Sequence, residues 1–196
     1  MAYQARVLRA LISCPSDVDL DDVRAIQTAI GRWNVLLGEQ FRSTVVPVHW
    51  SEHAAAAFGA PPQQILNEQL VDTVDFGIAI FWSRLGSPTK AAKSGTAEEI
   101  NRITDAGKPL SILRCTRPVE SSKLDPFQIT SLEAYLKSVR GEALILTYAD
   151  PATLATHVDT ILTRLVTHDH PGPPAEPPLP RTGTEHRPLS RPEFRG

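Results

Sequence analysis

Strand-like and helix-like segments alternate along residues 6–167, and this alternation constrains the fold more than any other feature of the chain. Short segments rich in Val, Ile and Leu are separated by longer segments whose apolar residues recur every three or four positions. Parallel strands need a long crossover between them, usually a helix, so this order is typical of a parallel sheet covered on both faces. The sequence therefore predicts an α/β fold.

Five apolar segments are predicted to form the strands of this sheet. They span residues 7–14, 44–50, 75–82, 110–115 and 143–148. The third segment is apolar on both faces, which places it at the centre of the sheet. Pro47 in the second segment fits an edge strand, because proline cannot donate a ladder hydrogen bond. With five helices, these strands predict a flavodoxin-like three-layer sandwich whose sheet order is 2-1-3-4-5.

Apolar residues at helical spacing define the faces that the helices bury. The first helix carries such a stripe from Val23 to Leu37. A second helix is predicted over residues 62–73, and Pro62 fits its first position. Between the fourth and fifth strands, a further helix includes Phe127 in its apolar side.

Neither the acidic residues nor the histidines predict a metal site. Four aspartates crowd the start of the first helix, where carboxylates favour the positive end of the helix dipole, and the glycine and distal glutamate of a calcium loop are missing. Capping is therefore favoured over metal binding. These aspartates are Asp17, Asp19, Asp21 and Asp22. The histidines are scattered and are interpreted as surface residues: His49, His53, His157, His168, His170 and His186. No Gly-x-Gly-x-x-Gly follows the first strand, so a nicotinamide redox cofactor is not expected.

Composition limits the function classes. The chain has 196 residues, 41% of them hydrophobic, and a formal net charge of −2, which gives no electrostatic footprint for nucleic acid or for an anionic membrane. Cys14 and Cys115 each end a predicted strand and are interpreted as reduced thiols. No run approaches the roughly 20 apolar residues of a membrane span, and the N-terminus leads directly into a strand. We therefore expect a cytoplasmic protein.

A change of composition divides the chain. Residues 1–168 are predicted to form the α/β domain, whereas residues 169–196 are rich in proline and nearly free of large apolar side chains. Such a segment cannot bury enough apolar surface to offset the entropy of ordering it. We predict a disordered tail or an interdomain linker, with further domains beyond it.

Two adjacent glutamates follow the central strand, near the start of a short predicted helix. If Thr96 and Ile100 face inward, a helix turning 100° per residue points Glu98 to water and leaves Glu99 at the border of sheet and solvent. One interpretation is purely structural: Glu99 accepts a hydrogen bond from a free backbone amide at the helix start, because Thr96 to Glu99 has capping-box spacing. The alternative is that Glu99 acts in catalysis at the carboxyl ends of the strands, where open α/β sheets bind ligands.

Small polar groups and aromatic side chains are predicted to meet around Glu99. Ser94, Gly95 and Thr96 could present hydroxyl and backbone donors to the oxygens of a ribose or phosphate. Other candidate binding residues come from the ends of the first three strands, which should share one sheet edge: Ser13, Cys14, Trp50, Trp82 and Arg84. Either tryptophan could stack on a base, or simply pack against the core.

Several motifs together resemble a known family. They are ISCPSD at residues 12–17, QLVD at 69–72, FWSRLGSP at 81–88, SGTAEEI at 94–100 and GKP at 107–109. In this combination the chain resembles the bacterial TIR-like (Toll/interleukin-1 receptor-like) domains over about residues 6–165. The GTAEEI element with its following GKP is also similar to nucleoside 2-deoxyribosyltransferases, which have a related fold and a catalytic glutamate at this place.

The resemblance implies an enzyme that cleaves the nicotinamide–ribose bond of NAD, with Glu99 as the catalytic residue and NAD as substrate rather than cofactor. It further implies self-association through TIR domains, in which residues 51–62 form a loop that gates the site, and a role as effector or signal generator in bacterial defence. The Trp-Cys pair that precedes the glutamate in many NAD-cleaving TIR domains is absent here.

Two alternatives remain open at this point. The first is deoxyribosyl transfer or hydrolysis on a nucleoside or nucleotide. The second is a non-catalytic TIR interaction module, in which Glu99 only caps its helix.

Overall fold

The computed structural model describes residues 3–55 and 60–169. Its five strands are β1 (Arg6–Ser13), β2 (Ser43–Val48), β3 (Phe76–Phe81), β4 (Leu110–Cys115) and β5 (Ile145–Tyr148). Its α-helices are α1 (Leu20–Phe41), α2 (Trp50–His53), α3 (Pro62–Gln69), α4 (Gly95–Asp105), α5 (Pro126–Val139) and α6 (Pro151–Arg164). Short turns of 3-10 type lie at Val71–Thr73 and Ser121–Lys123, and α6 continues as a π-turn over Leu165–Asp169.

The five strands form one parallel sheet in the order β2-β1-β3-β4-β5, which confirms the predicted flavodoxin-like α/β fold. Strand β3 is buried at all six positions, as its continuous apolar sequence predicted. A Cβ at Gly77 of β3 would lie 2.7 Å from Cδ1 of Ile103 and 2.8 Å from Cδ1 of Leu110. The missing side chain therefore lets α4 approach the sheet closely.

Helices cover both faces of the sheet. Helices α1 and α6 pack on one face, where Ile26, Ile30 and Trp33 of α1 share a core with Val158 and Leu162 of α6. Helices α3, α4 and α5 pack on the other face and contribute to two smaller clusters. Because side chains alternate along a strand, Ile12 of β1 joins the first face and its neighbours Leu11 and Ser13 point to the second.

Strand β2 lies at an edge of the sheet, as Pro47 predicted. The side-chain amide of Asn34 on α1 donates to the carbonyl oxygen of Val45 at 2.8 Å and accepts from its backbone N–H at 2.9 Å. Both main-chain groups of Val45 are therefore satisfied by a side chain of the same molecule, and Pro47 has no N–H to satisfy.

The four aspartates before and within α1 have four different roles. Asp19 is the N-cap and accepts from the backbone N–H of Asp21, so the capping interpretation is confirmed for this residue. Asp17 accepts from the backbone N–H and the hydroxyl of Ser83, at 2.8 and 2.9 Å. Asp21 pairs with Arg24 at the surface. Asp22 is completely buried, in the ion pair described below.

Several predicted boundaries differ from the structure. Strand β2 ends at Val48, because the chain turns into the short helix α2 at Trp50. Helix α3 starts with Pro62 at its first position, as predicted, but ends at Gln69. Phe127 was assigned to a buried side, yet it is 87% exposed, because a helix turning 100° per residue places it roughly opposite the buried Leu132 and Leu136.

Two predictions concern residues outside those that the structure describes. Part of the predicted loop, residues 56–59, and nearly all of the predicted tail, residues 170–196, lie there. Among the described residues, no helix is both long enough and apolar enough to cross a bilayer.

Candidate functional site

The start of α4 is capped by Ser94 and not by a glutamate. Ser94 has extended backbone angles, and its hydroxyl oxygen accepts from the backbone N–H of Ala97 at 3.0 Å. Ser94 is completely buried. A capping box starting at Ser94 would need its glutamate at position 97, which is alanine. The predicted capping role of Glu99 is therefore wrong, because the helix begins two residues earlier than that role requires.

Glu99 instead points to the carboxyl end of β1. Its Oε2 accepts from the hydroxyl of Ser13 at 2.5 Å, and its Oε1 accepts from the side-chain amide of Gln63 at 3.1 Å. Burial raises the pKa of Glu99 above the usual glutamate value, the two hydrogen bonds oppose that rise, and the charge of Glu98 adds to it. The helix thus holds a desolvated carboxylate at the edge where parallel α/β sheets bind ligands.

Glu98 is only partly exposed, whereas helical phase predicted that it points to water. Its Oε1 accepts from the amide of Asn67 on α3 at 2.6 Å, and its Oε2 accepts from the hydroxyl of Thr89 at 2.5 Å. The phase of the helix was correct, since Thr96 and Ile100 are buried. The error arose because α3 and the segment before α4 cover the side of the helix that the sequence left to solvent.

Gln63 and Asn67 connect the two glutamates. Asn67 is completely buried, and the amide of Gln63 donates to its Oδ1 at 3.2 Å as well as to Glu99. A Cβ at Gly95 would lie 2.5 Å from Oε1 of Gln63, so the absence of a side chain at Gly95 makes room for that amide. Sequence reasoning missed both residues. Helical spacing could have identified them, because Gln63 and Asn67 lie on the same face of the helix as the apolar Leu66 and Leu70.

A cysteine and a histidine lie beside this network. The Sγ of Cys14 is 3.7 Å from Nε2 of His49, whose Nδ1 lies 2.8 Å from the hydroxyl of Ser51. Burial, assisted by the charge of Glu99, raises the pKa of Cys14 to about 12, so the thiol stays protonated at neutral pH. His49 is only 2% exposed, which corrects its interpretation as a surface residue, and burial lowers its pKa.

The tryptophans and Arg84 lie farther along the sheet edge or at its surface. Trp50 is 51% exposed at the start of α2. The indole N–H of Trp82 donates to the carbonyl oxygen of Arg117 at 2.9 Å, and the Arg117 guanidinium lies 5.5 Å from the centre of the indole ring. Arg84 is 3.8 Å from a carboxylate oxygen of Asp125. In the described part of the chain, neither Trp82 nor Arg84 shares a hydrogen bond or ion pair with Glu99.

The candidate residues are therefore brought together in part. Ser13 contacts Glu99 directly, Cys14 feels the charge of Glu99, and Gly95 accommodates its partner Gln63. Thr96 is nearly completely buried and packs inward.

A second polar cluster occupies the same sheet edge on the α1 face. The carboxylate of Asp22 accepts two hydrogen bonds from Arg117, at 2.9 and 2.5 Å, and a third from the hydroxyl of Tyr148 at 2.9 Å. Since Arg117 also contacts Trp82, this cluster joins α1 to the ends of β3, β4 and β5. Both carboxylate oxygens of Asp22 accept hydrogen bonds from protein side chains, which is typical of a structural ion pair.

A groove of about 430 Å³ lies between the segment before α4 and helix α5. It is lined by Leu85, Gly86, Pro88, Lys93, Gln128, Thr130, Ser131 and Ala134. Glu99 is not part of this lining, so the groove and the Glu99 carboxylate are separate features.

Comparison with known proteins gives a family and a fold type. The model of a family described as a domain of unknown function (DUF4062) matches residues 18–163. Among solved structures, the translation elongation factor SelB from Methanococcus maripaludis is similar in its complex with the GTP analogue GppNHp, at 12% identity over 85% of this chain and 35% of that chain, with a TM-score of 0.44. The apo form of the same protein is similar at 11% identity over 85% of this chain and 36% of that chain, with a TM-score of 0.48.

Oxidised flavodoxin 1 from Bacillus cereus is similar at 9% identity over 84% of this chain and 99% of that chain, with a TM-score of 0.39. The present chain spans about a third of the length of the SelB chains. At these identities the similarity says nothing about ligands or activity. No curated protein matches the sequence significantly.

Proposed function

We propose that this chain, which belongs to the family described as a domain of unknown function (DUF4062), cleaves the nicotinamide–ribose bond of NAD. The observation that carries the proposal is the Glu99 carboxylate. It is partly buried at the carboxyl edge of a parallel sheet, has no part in capping its helix, and is oriented by Ser13 and Gln63.

A desolvated carboxylate suits this reaction. When the glycosidic bond breaks, its electron pair leaves with the nicotinamide nitrogen and positive charge develops on the ribose ring. A fixed negative charge near the anomeric carbon stabilises that charge most strongly where water is excluded. Glu99 can act electrostatically or by attack on the anomeric carbon. Water then supplies the hydroxyl group of ADP-ribose and releases one proton, and neutral nicotinamide needs no strong general acid.

The proposal includes a cellular setting. The TIR resemblance supports self-association through homotypic contacts, which would make turnover depend on protein concentration. It also supports a cytoplasmic effector or signal generator of bacterial defence, with further domains joined through residues 169–196. NAD is the substrate in this proposal, and no separate cofactor takes part.

The test is release of nicotinamide from NAD by the purified chain, measured by chromatography over a range of protein concentrations. Glu99→Gln keeps the shape of the side chain and removes its charge, and it should lower turnover about 10²- to 10³-fold. The matched control is Glu68→Gln, the same change on the exposed face of α3. This control should retain wild-type turnover.

Parallel reactions with 2′-deoxynucleosides separate the proposal from its alternatives. Release of free base with no nicotinamide from NAD would favour a deoxyribosyl transferase or hydrolase. If neither substrate turns over at any concentration, the chain is better described as an interaction module. Full NAD cleavage by Glu99→Gln would overturn the assignment of the catalytic residue.

A further inference from the structure

Gln63 is the one neutral side chain of α3 that touches the Glu99 carboxylate among the described contacts. Its amide donates one hydrogen bond to Oε1 of Glu99 at 3.1 Å and another to Oδ1 of Asn67 at 3.2 Å. Its carbonyl end lies against Gly95, where an added Cβ would come within 2.5 Å. Three neighbours therefore restrict the position of this amide, although Gln63 itself is only partly buried.

Asn67, which fixes the amide of Gln63, is in turn held by Glu98. Asn67 is completely buried and donates to Glu98 at 2.6 Å, and Glu98 also accepts from Thr89 at 2.5 Å. The donors in this series run in a consistent direction, because each amide uses its N–H groups on a carboxylate or on the next amide. Both glutamates accept the hydrogen bonds of this series, Glu98 from Asn67 and Thr89 and Glu99 from Gln63.

We propose that Gln63 is a positioning residue, which holds the Glu99 carboxylate in its reactive orientation and is itself fixed by Asn67, Glu98 and the missing side chain of Gly95. The proposal rests on the proposed function for its consequence in turnover, but the orientation of the carboxylate can be measured without turnover. It also gives Glu98 a task, since Glu98 fixes the donor that orients its neighbour.

The groups around Glu99 determine whether its pKa rises or falls in each variant. The titratable group that acts on it is Glu98, on its own helix. The Cys14 thiol at the end of β1 feels the charge of Glu99 but is itself uncharged at neutral pH. From α3, the uncharged amide of Gln63 contacts it. Loss of the Gln63 hydrogen bond removes a group that favours the ionised form, so the pKa of Glu99 should rise. Loss of the Glu98 charge should lower it.

Two variants remove the Gln63 contact by different means. Gln63→Ala deletes the amide. Gly95→Ala leaves every polar group in place, but its methyl group displaces the end of the flexible Gln63 side chain. The matched control is Gln64→Ala, the neighbouring glutamine, whose amide donates to Glu68 on the exposed face of α3. Each protein is labelled with ¹³C at its glutamate carboxyl carbons and titrated by NMR, and kcat and KM for NAD are measured on the same samples.

The expected result is that Gln63→Ala and Gly95→Ala both raise the pKa of Glu99 and shift the acidic limb of the pH–rate profile upward, whereas Gln64→Ala changes neither. The lost hydrogen bond to a charged group should lower kcat about 10- to 100-fold and leave KM nearly unchanged. Glu98→Gln should lower the pKa of Glu99.

The outcomes separate the two proposals. If wild-type protein cleaves NAD through Glu99 but Gln63→Ala keeps the wild-type pKa and kcat, the positioning role is overturned and the proposed function stands. If no variant turns over NAD but the pKa shifts follow the stated pattern, the proposed function fails and the positioning of Glu99 by Gln63 stands. An equal effect of Gln64→Ala would also overturn the role, since the change would then belong to the helix as a whole.

Discussion

Replacement of Glu99 by glutamine should stabilise the folded protein at neutral pH. In the folded state, burial raises the pKa of this carboxyl group, so the folded protein binds its proton more tightly than the unfolded chain does. The free energy of unfolding therefore falls as the pH rises from the ordinary glutamate pKa of about 4.3 through the raised folded-state pKa. Glutamine does not titrate and avoids this loss.

The size of the stability change follows from the difference between the folded and unfolded pKa of Glu99 and from the hydrogen bonds that each variant keeps. Each unit of pKa elevation corresponds to about 1.4 kcal/mol of lost stability above both pKa values. The glutamine amide can keep both contacts, because its oxygen accepts from Gln63 and its N–H donates to the hydroxyl of Ser13. Glu99→Ala keeps neither contact. It leaves the Ser13 hydroxyl, which is 1% exposed, without this acceptor at a cost of about 1–3 kcal/mol.

The assay is urea denaturation of wild type, Glu99→Gln and Glu99→Ala between pH 4 and pH 8, with the slope of free energy against urea checked for equality. We expect the stability advantage of Glu99→Gln over wild type to grow with pH and then level off. Glu99→Ala should be less stable than Glu99→Gln throughout. A pH-independent difference, or a wild type more stable than Glu99→Gln at pH 8, would refute the reasoning and make the carboxylate a structural group.

Four further predictions concern other residues of the fold. Asp22→Asn breaks the ion pair with Arg117 and should cost about 3 kcal/mol in urea denaturation; a loss below about 1 kcal/mol would contradict a buried pair. Tyr135→Phe removes a buried hydroxyl that has no hydrogen-bond partner among the described residues, so Tm should stay equal or rise by about 2–4 °C, and a clear fall would reveal a partner. Gly77→Ala should cost about 1–3 kcal/mol, because its methyl group would press on the side chains of α4 and β4; unchanged stability would mean that they move aside freely. Cys14, whose pKa is raised to about 12, should react slowly with Ellman's reagent at pH 8 and rapidly in urea, and equal rates would disprove its burial.

The fold followed from the sequence because its signals are local. A strand that is apolar on both faces can only lie inside the sheet, which placed β3, and a strand proline can only lie where no hydrogen bond is needed, which placed β2. The inward phase of Thr96 and Ile100 was likewise correct. It brought Glu99 to the border of the sheet without knowledge of any other element.

The surroundings of the two glutamates could not be predicted in the same way. Whether Glu98 meets water or Asn67 depends on where α3 packs, and helical phase alone carries no information about neighbouring helices. The burial of His49 also depends on the short helix α2, whose Ser51 and His53 hydrogen-bond to it. The helix start was misplaced because Ser94 and Thr96 are both good caps, and only the backbone angles distinguish them.

The pairing of Asn34 with Val45 bears on how copies of this chain can associate. An open edge strand recruits the backbone of another chain and leads to stacked β-aggregates that dilution does not reverse. Here an internal side chain occupies the main-chain groups of Val45, and Pro47 offers no donor two residues later. This edge therefore offers fewer main-chain groups to a neighbouring copy, so association on this side should rest on side chains and be open to adjustment by single substitutions.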